Sequence, residues 1–589
     1  MNPTDLKNPE YFHKVVDCQY ACPAHTPVPE YIRLIAAGRY TDAYMVNWES
    51  NVFPGILGRT CDRPCEPACR RGRLGEEPVA ICRLKRVAAD LKSNIKDFIP
   101  GPSGLKNGKK IALVGAGPAA LTVARDLAPL GYEIHVYDEQ KAGGGFMRSQ
   151  IPSFRLPEEV LDEEVGYILD MGIITHFNQY VDSLKNLLDQ DYDSIFIGSG
   201  APKGKDLQIP GRDEAAAQIH IGINWLANVA FEHNTKIGKK VLVIGGGNTA
   251  MDCCRTSRRL GGEDVRVVVR SPFNEMKASP WEIEDAQHED IPFYNCHSPK
   301  RFVLENGKLI GMEFELVEAK YIDGKRSLTT TGEIVFMEAD DVLLAIGQEN
   351  SFPWIERNIG IDFDKWGLPV INEKTFQTTN PKVFVGGDAA FGPKNVITAV
   401  AHGHEAAISI DLFCSSIDVQ ERPAPMTNLY LQKMGIHEWS YDNQTSDDLR
   451  FKVPHADKSL ALKDRKMEVE LGFDDQLAFK EAQRCLNCDV QTIFTESRCI
   501  ECDACVDICP TTCITFTVNG EEADLRDRLN APAPIKEQDL YVSDVLPTLR
   551  VMVKDENLCL HCGLCAERCP TNAWDMQKYI YNTAKACKL

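Results

Sequence analysis

KKIALVGAGPAALTVARDLAPLGYEIHVYDEQ, residues 109–140, decides the fold. The apolar run IALV reads as a buried strand. Gly115, Gly117 and Ala120 follow at G-x-G-x-x-A spacing, and a helix follows them. Glycine is required there so that the turn is tight and a pyrophosphate can approach backbone N–H groups at the helix N-terminus. The next strand, EIHVYDE, ends in Asp138, placed about 20 residues on, where a carboxylate accepts ribose hydroxyls. Strand, glycine turn, helix, strand and acid together make a dinucleotide-binding unit.

The pattern recurs in KKVLVIGGGNTAMDCCRTSRRLGGEDVRVVVRS, residues 239–271. Gly245, Gly247 and Ala250 repeat the spacing, and Asn248 and Thr249 open the helix as further expected nucleotide contacts. Here the second strand ends in Arg270 rather than an acid. An acid repels a 2′-phosphate and an arginine accepts it, which favours NADP(H) and leaves NAD(H) as the alternative. The other reading of Arg270 is a solvated strand end. A third stretch, NPKVFVGGDAAFGPKNVITAVAHGHEAA (380–407), places Gly387 and Asp388 after a strand, Asp388 toward the ribityl or phosphate side of FAD. A helix then begins at Val396–Ala399. Its first N–H groups, with Thr398 and Ala399 at the site, suit negative charge on reduced flavin. Strands in YDSIFIGSGAP (192–202) and DDVLLAIGQ (341–349) read as crossings between a FAD domain and an inserted NAD(P) domain. Hydride transfer to flavin needs geometry rather than an acid, base or nucleophile, so no catalytic side chain is assigned. Cys253 and Cys254 are adjacent on a helix and read as packing residues, which argues against a disulfide reductase.

The chain has 22 cysteines, six within residues 1–82 and twelve at 485–587. Cys499, Cys502, Cys505 and Cys509 run C-x2-C-x2-C-x3-C-P, and Cys559, Cys562, Cys565 and Cys569 repeat it. This is the bacterial two-cluster ferredoxin spacing, in which each fourth cysteine ligates the other cluster. One [4Fe–4S] cluster therefore takes Cys499, Cys502, Cys505 and Cys569, and the other takes Cys559, Cys562, Cys565 and Cys509. Zinc sites do not use this interlaced spacing. His561, between ligands, reads as solvated, and Cys513 and Cys587 as ordinary residues. NAPAPIKEQDLYVSD (530–544) reads as a surface loop. At the other end stand Cys18, Cys22, Cys61, Cys65, Cys69 and Cys82.

GAGPAAL, GGGFMRSQIPSFRLP (143–157), GGGNTAMD (245–252) and GGDAA (386–390) resemble the small subunit of glutamate synthase and the matching half of dihydropyrimidine dehydrogenase. The resemblance spans about residues 15–415. It implies that the first fingerprint holds FAD and the second NADPH. It also matches Gly144, Gly145 and Arg148 to a flavin-contacting GG-x-x-R. The family often carries two arginines after the second strand, where this chain has Arg270–Ser271. CQYACPAHTPVPEYI (18–32) and LGRTCDRPCEPACRRG (57–72) resemble that family's N-terminal domain, which holds two [4Fe–4S] clusters. Its opening EA-x-RC-L-x-C segment is absent from this N-terminus and appears as EAQRCLNCD at 481–489. The resemblance thus implies one cluster on Cys18, Cys69, Cys485 and Cys488. The second takes Cys22, Cys61 and Cys65, with Cys82 standing in for a glutamine, because Lys85 and Arg86 occupy the glutamine's neighbourhood. Four clusters result; a single N-terminal cluster with spare cysteines is the other reading.

The expected class is α/β: two Rossmann-like domains, the NAD(P) domain inserted in the FAD domain, a helical N-terminal iron–sulfur domain and a C-terminal α+β ferredoxin domain. The expected bounds are 1–104, 105–235 and 341–422 for FAD, 236–340 for NAD(P), 423–490 as a returning tether, and 491–589. A formal net charge of −20 argues against nucleic acid. No apolar run spans a bilayer and no signal peptide opens the chain, so a cytoplasmic protein without membrane contact is expected, its cysteines holding metal rather than disulfides. The expected function is an NAD(P)H-linked oxidoreductase subunit in a hetero-oligomer. Its partner is a redox protein, a 2-oxoacid:ferredoxin oxidoreductase or a ferredoxin. The alternatives are a stand-alone NADPH:ferredoxin oxidoreductase and a non-catalytic electron relay.

Overall fold

IALV becomes the central strand, Lys110–Val114, of a five-stranded sheet. Its strands lie in the order Val383–Val385, Ser194–Ile197, Lys110–Val114, Glu133–Tyr137, Ile174–His176, and every pairing is parallel. A parallel strand covered on both faces must be apolar throughout, and Ile111–Val114 are buried accordingly. The helix Pro118–Leu127 starts at the glycine turn with proline in its first turn, where no N–H is needed. It packs on the helix Val396–Cys414 at Gly403, where a Cβ would stand 2.6 Å from the Ala119 carbonyl oxygen and from Thr122 Cβ.

The second fingerprint builds a second parallel sheet, in the order Ile219–Ile221, Asp341–Leu344, Lys240–Ile244, Asp264–Val268, Phe293–Tyr294. Two strands lie outside the expected bounds 236–340. Ile219–Ile221 forms one edge, and Asp341–Leu344 is paired on both sides within this sheet, so the chain returns to the first sheet only after Leu344. The reason is that the fingerprint strand Lys240–Ile244 needs a neighbour on each side to be buried: Asp264–Val268 supplies one and Asp341–Leu344 the other, and Ile219–Ile221 in turn pairs with Asp341–Leu344. An antiparallel meander, His297–Glu305, Lys308–Ile322 and Lys325–Glu338, interrupts the alternation of strand and helix. Its first turn, Asn306–Gly307, has φ of +50° and +75°, the conformation that Asn-Gly favours in a two-residue hairpin.

This computed structural model describes residues 1–322, 325–430, 446–518, 525, 529 and 540–586. The chain divides into two units. The nucleotide-binding unit is built from Ile99–Gln420 and Pro454–Leu471, and the cysteine-rich unit from Met1–Phe98, Glu421–Val453 and Gly472–Lys585. The N-terminal and ferredoxin regions, expected as separate domains, therefore form one body. The tether does return, but residues 454–471 pack in the nucleotide-binding unit, where Val469 N–H donates to the Phe154 carbonyl at 3.0 Å. Residues 431–445 of the tether, residues 530–539 of the expected loop, and Cys587 lie outside the described residues. The end of that loop is no loop: Leu540–Val542 is a strand paired with Val551–Asp555.

In the cysteine-rich unit, helices Val28–Ala36, Tyr40–Asn51, Pro54–Thr60 and Ile81–Asp90 pack around Tyr31, Tyr44 and Trp48. The ferredoxin part carries two short helices, Ala504–Ile508 and Leu564–Arg568, each opening after its motif's second cysteine. Buried pairs stitch the two parts together. Arg33 bonds Asp489, the Tyr11 hydroxyl donates to Glu556, and Thr4 N–H donates to the Val542 carbonyl at 2.9 Å.

Gly403→Ala is expected to wedge Pro118–Leu127 from Val396–Cys414 and to destabilise the nucleotide-binding unit by about 1–3 kcal/mol, the usual cost of overpacking. The denaturant midpoint measured on holoprotein checks this.

Candidate redox centres

Three glycine turns meet at the N-terminus of Pro118–Leu127. Gly115 has φ +95°, and a Cβ there would stand 2.6 Å from the Gly198 carbonyl oxygen. Gly145 has φ +52°, and its Cβ would meet Gly117 Cα at 2.8 Å. Gly387 has φ +63°, and its Cβ would meet Ala119 Cβ at 3.0 Å. The result is a groove walled by backbone, as a pyrophosphate on a helix N-terminus requires. Ala120 is fully buried against Gly198, the close helix–strand contact that the third fingerprint position needs. Asp138 accepts N–H bonds from Ala116 (2.7 Å) and Gln140 (2.8 Å), which fixes its carboxylate beside the turn. Burial raises its pKa, against the pull of those two donors. Gly144 has φ +125°. Arg148 is held at the rim by the Gly143 carbonyl (2.8 Å) and Asp162.

Asp388 accepts the Lys394 N–H at 3.0 Å, and burial pushes its pKa up to about 6. Ser199 Oγ and Asn350 Oδ1 are buried with no hydrogen-bond partner among the described residues. Orphaned polar atoms and a side-chain-free cradle fit a polar dinucleotide such as FAD. One expectation changes. The Thr398 amide and hydroxyl both donate to the Asn395 side chain (3.0 and 2.7 Å), and the Ala399 N–H bonds the Asn395 carbonyl. Asn395 caps the helix, so these two residues offer no free N–H to a flavin, and the free N–H groups at this end belong to Val396 and Ile397.

In the second sheet Gly245 has φ +143°, and its Cβ would lie 2.1 Å from the Ala345 carbonyl oxygen. Gly247 caps the helix Asn248–Arg259 with open space above its Cα. Asn248 is spent on Ser279, accepting its N–H at 2.8 Å, and so positions the turn. Thr249 is half-buried beside it. Arg270 is exposed and forms no ion pair among the described residues. A second guanidinium arrives from the meander: Arg326 donates to the Ser271 hydroxyl at 2.9 Å and pairs with Glu275.

The cysteines gather into four groups, all in the cysteine-rich unit. Cys18, Cys69, Cys485 and Cys488 line one cavity. Cys22, Cys61, Cys65 and Cys82 surround the buried Lys85. Burial lowers the Lys85 ammonium pKa, and the four thiolates more than reverse this. Cys499, Cys502, Cys505 and Cys569 line a third cavity beneath Trp574. Cys509, Cys559, Cys562 and Cys565 make the fourth group, each within electrostatic reach of others of the set. Burial and then the neighbouring thiolates push Cys18 well above a normal thiol pKa, and burial pushes Cys485 up to about 12. Sulfurs packed this way ionise together only if a cation shares the cavity, so the donor sets fit iron–sulfur clusters.

The pyridine nucleotide-disulphide oxidoreductase profile matches residues 109–403, half of the chain. The chain belongs to that family. The profile described as dihydropyrimidine dehydrogenase domain II, 4Fe-4S cluster, matches residues 13–96, and the 4Fe-4S dicluster domain matches 498–573. Subunit beta of the NADP(+)-dependent formate dehydrogenase of Moorella thermoacetica is 32% identical over 80% of this chain and 70% of its own length. Subunit beta of the NADPH-Fe(3+) oxidoreductase of Geobacter sulfurreducens is 31% identical over 82% and 77%. The small chain of NADPH glutamate synthase of Escherichia coli K12 is 32% identical over 67% and 87%. This member of the family is an oxidoreductase of FAD, NADP(H) and [4Fe–4S] groups. Among the described residues no helix is long and apolar enough to cross a membrane.

Cys253 and Cys254 are fully buried in the apolar core of this oxidoreductase's second sheet, which suits packing and no disulfide chemistry. Two readings need correction. His561 is not solvated but fully buried, its ring on the Cys488 carbonyl at 3.1 Å. Cys513 is not an ordinary residue: its Sγ lies 3.4 Å from Cys509 Sγ. Its signal was available, since C-P-T-T-C holds cysteine where C-P-T-N-A holds Ala573. Arg70 gave no signal. It is buried between Asp17 (2.5 Å) and the carbonyls of Glu556 and Cys559.

Anaerobic removal of iron is expected to loosen the cysteine-rich unit and spare the nucleotide-binding unit, because cluster binding is part of that unit's folding free energy. Limited proteolysis of holo and iron-depleted protein checks this by where the new cuts fall.

Proposed function

We propose that this chain carries electrons between NADP(H) and a protein redox partner, as the nicotinamide-linked subunit of a hetero-oligomer whose other part is a 2-oxoacid:ferredoxin oxidoreductase. Four separate cysteine tetrads in one unit and two nucleotide cradles in the other carry the reading: one cluster serves a local reaction, and four make a relay out of the molecule. The ligand sets are Cys18/Cys69/Cys485/Cys488, Cys22/Cys61/Cys65/Cys82, Cys499/Cys502/Cys505/Cys569 and Cys509/Cys559/Cys562/Cys565. FAD, when bound, supplies the exchange between hydride and single electrons, and the clusters supply one-electron carriage. The chain's own residues do the rest. Gly115, Gly117, Gly145 and Gly387 keep the pyrophosphate groove open, Asp138 receives the ribose, and Arg148 and Asp388 flank the flavin. Gly245 and Gly247 admit the nicotinamide dinucleotide. The subunit reading is supported by the relatives in Moorella and Geobacter, both of which are beta subunits.

A stand-alone NADPH:ferredoxin oxidoreductase is the second reading, favoured by the exposure of Cys502 and Cys562, which opens the ferredoxin part to a small soluble partner. Anaerobic native purification with mass spectrometry separates the two. Co-purifying 2-oxoacid oxidoreductase subunits support the first, and a chain that emerges alone supports the second. A non-catalytic relay would leave the flavin unbleached by either nucleotide.

The nucleotide reading has its own test. Arg270 and Arg326 stand on both sides of the strand end where a 2′-phosphate falls, and Arg326 also neutralises Glu275, which would otherwise repel that phosphate. Arg270→Ala and Arg326→Ala are each expected to lower kcat/KM for NADPH by about tenfold or more, the worth of one charge-assisted hydrogen bond, and to leave NADH unchanged. Glu275→Gln is expected to shift selectivity the other way.

A further inference from the structure

The two ferredoxin motifs match residue for residue in spacing, but the second of the two residues between their first two ligands differs in charge. It is Glu501 in the first and His561 in the second, and both adopt left-handed backbone, with φ +54°. In both, the backbone N–H of this residue donates to the preceding cysteine: Glu501 to Cys499 Sγ at 3.3 Å, His561 to Cys559 Sγ at 3.4 Å. The side chains diverge. Glu501 turns to Thr548 and Arg550 within its own motif's surroundings. His561 turns the other way, to Cys488 of a cysteine group outside the two ferredoxin motifs. Its Nδ1 lies 3.1 Å from the carbonyl oxygen of Cys488 and 2.9 Å from Gln491 Nε2, and Gln491 also donates to that carbonyl. On its far side Nε2 faces Glu556 at 3.4 Å, and the Glu556, Cys559 and His561 donor atoms lie within 4.8 Å of one another. Arg70, next in sequence to Cys69, clamps the same place by donating to the carbonyls of Glu556 and Cys559.

We propose that His561 is the positioning residue that joins the Cys18/Cys69/Cys485/Cys488 site to the Cys509/Cys559/Cys562/Cys565 site, so that the ferredoxin part is entered at the second of its two sites. One residue spans the two sets, its ring Nδ1 at a carbonyl of one and its backbone N–H donating to a sulfur of the other. Gln491 and Arg70 hold the two loops at that separation. The Cys499/Cys502/Cys505/Cys569 site has no such link among the described residues, although each of the two ferredoxin sites exposes one cysteine, Cys502 in the first and Cys562 in the second. One electron crosses the junction, lost by one site and gained by the other, with no bond made and no proton required. This rests on the reading that both sites hold [4Fe–4S] clusters.

The test uses full-length holoprotein, mixed anaerobically with NADPH and freeze-quenched for EPR. His561→Leu, which removes the bridge, is expected to slow appearance of the ferredoxin-part signals by about tenfold, the scale at which an outer-shell partner of a metal site acts. Iron content and the rate of flavin bleaching are expected to stay at wild-type values, and His561→Gln, which can still reach the Cys488 carbonyl, to recover part of the rate. Wild-type kinetics in an iron-replete His561→Leu protein overturn the proposal. If that variant loses iron, the dithionite-reduced wild type decides: spin–spin broadening shared by the two sites supports the junction, and an unbroadened signal from the N-terminal site overturns it. Absence of NADPH bleaching in the wild type would instead strike the proposed function.

Discussion

Buried thiols resist ionisation, and the cysteine-rich unit is organised around that resistance. A thiolate in an apolar cavity is costly, and each further thiolate raises the cost for the rest, as the upward shift at Cys18 shows. Iron pays this cost, and because the cavity is assembled from both ends of the chain, binding it also closes the fold. Cys18 and Cys69 come from the helical segment, Cys485 and Cys488 from the segment that leads into the ferredoxin part. Loop closure grows only slowly with length, about 0.6 kcal/mol per doubling, so recruiting ligands from far along the chain costs little more than recruiting them nearby.

Around this shared site the unit sets buried charges of opposite sign against one another. Arg70 meets Asp17, Arg33 meets Asp489, Arg484 meets Glu481, and Lys554 meets Glu556, all buried. Such pairs add little net stability, but a lone partner would cost about 3–5 kcal/mol. Of these only Arg33–Asp489 joins the N-terminal and C-terminal segments, and it works as an alignment device between them. The nucleotide-binding unit meets a different constraint. Its cofactors are polar and large, so its walls are backbone, and the positive φ of Gly115, Gly145, Gly245 and Gly387 keeps side chains out.

Much of this was legible in the sequence because the chemistry leaves few spacings open. Both fingerprints and the interlaced ferredoxin motifs could be read, since turn geometry and ligand reach restrict where glycine and cysteine stand; the grouping of Cys485 and Cys488 with Cys18 and Cys69 came only from the family resemblance of EAQRCLNCD. The edge strand and Arg70 follow from long-range packing, which no local pattern carries. The edge strand Ile219–Ile221 is three residues with no distinctive composition. Arg70 looks like one more basic residue in CRRG until Asp17 and Glu556 are seen around it. The Asn395 cap was a local signal overlooked, since asparagine before a helix competes for the same N–H groups that were assigned to the flavin.

His561 and Cys513 show where a repeated motif is free to change. In each ferredoxin motif the four ligands and the N–H bonds to sulfur are the same, because the cluster dictates them; Cys513 N–H to Cys509 and Ala573 N–H to Cys569 are 3.3 and 3.2 Å. The positions between ligands carry no such demand. One motif there holds Glu501, the other His561; one holds Cys513 after its proline, the other Ala573. These are also the positions whose side chains reach beyond the motif, to Arg550 in one case and to Cys488 in the other. Two sites with identical ligand sets thus acquire different surroundings, and surroundings set the potential and the neighbours of a cluster. The difference between the two motifs is accordingly written in the residues around the ligand positions and not in the ligand positions themselves.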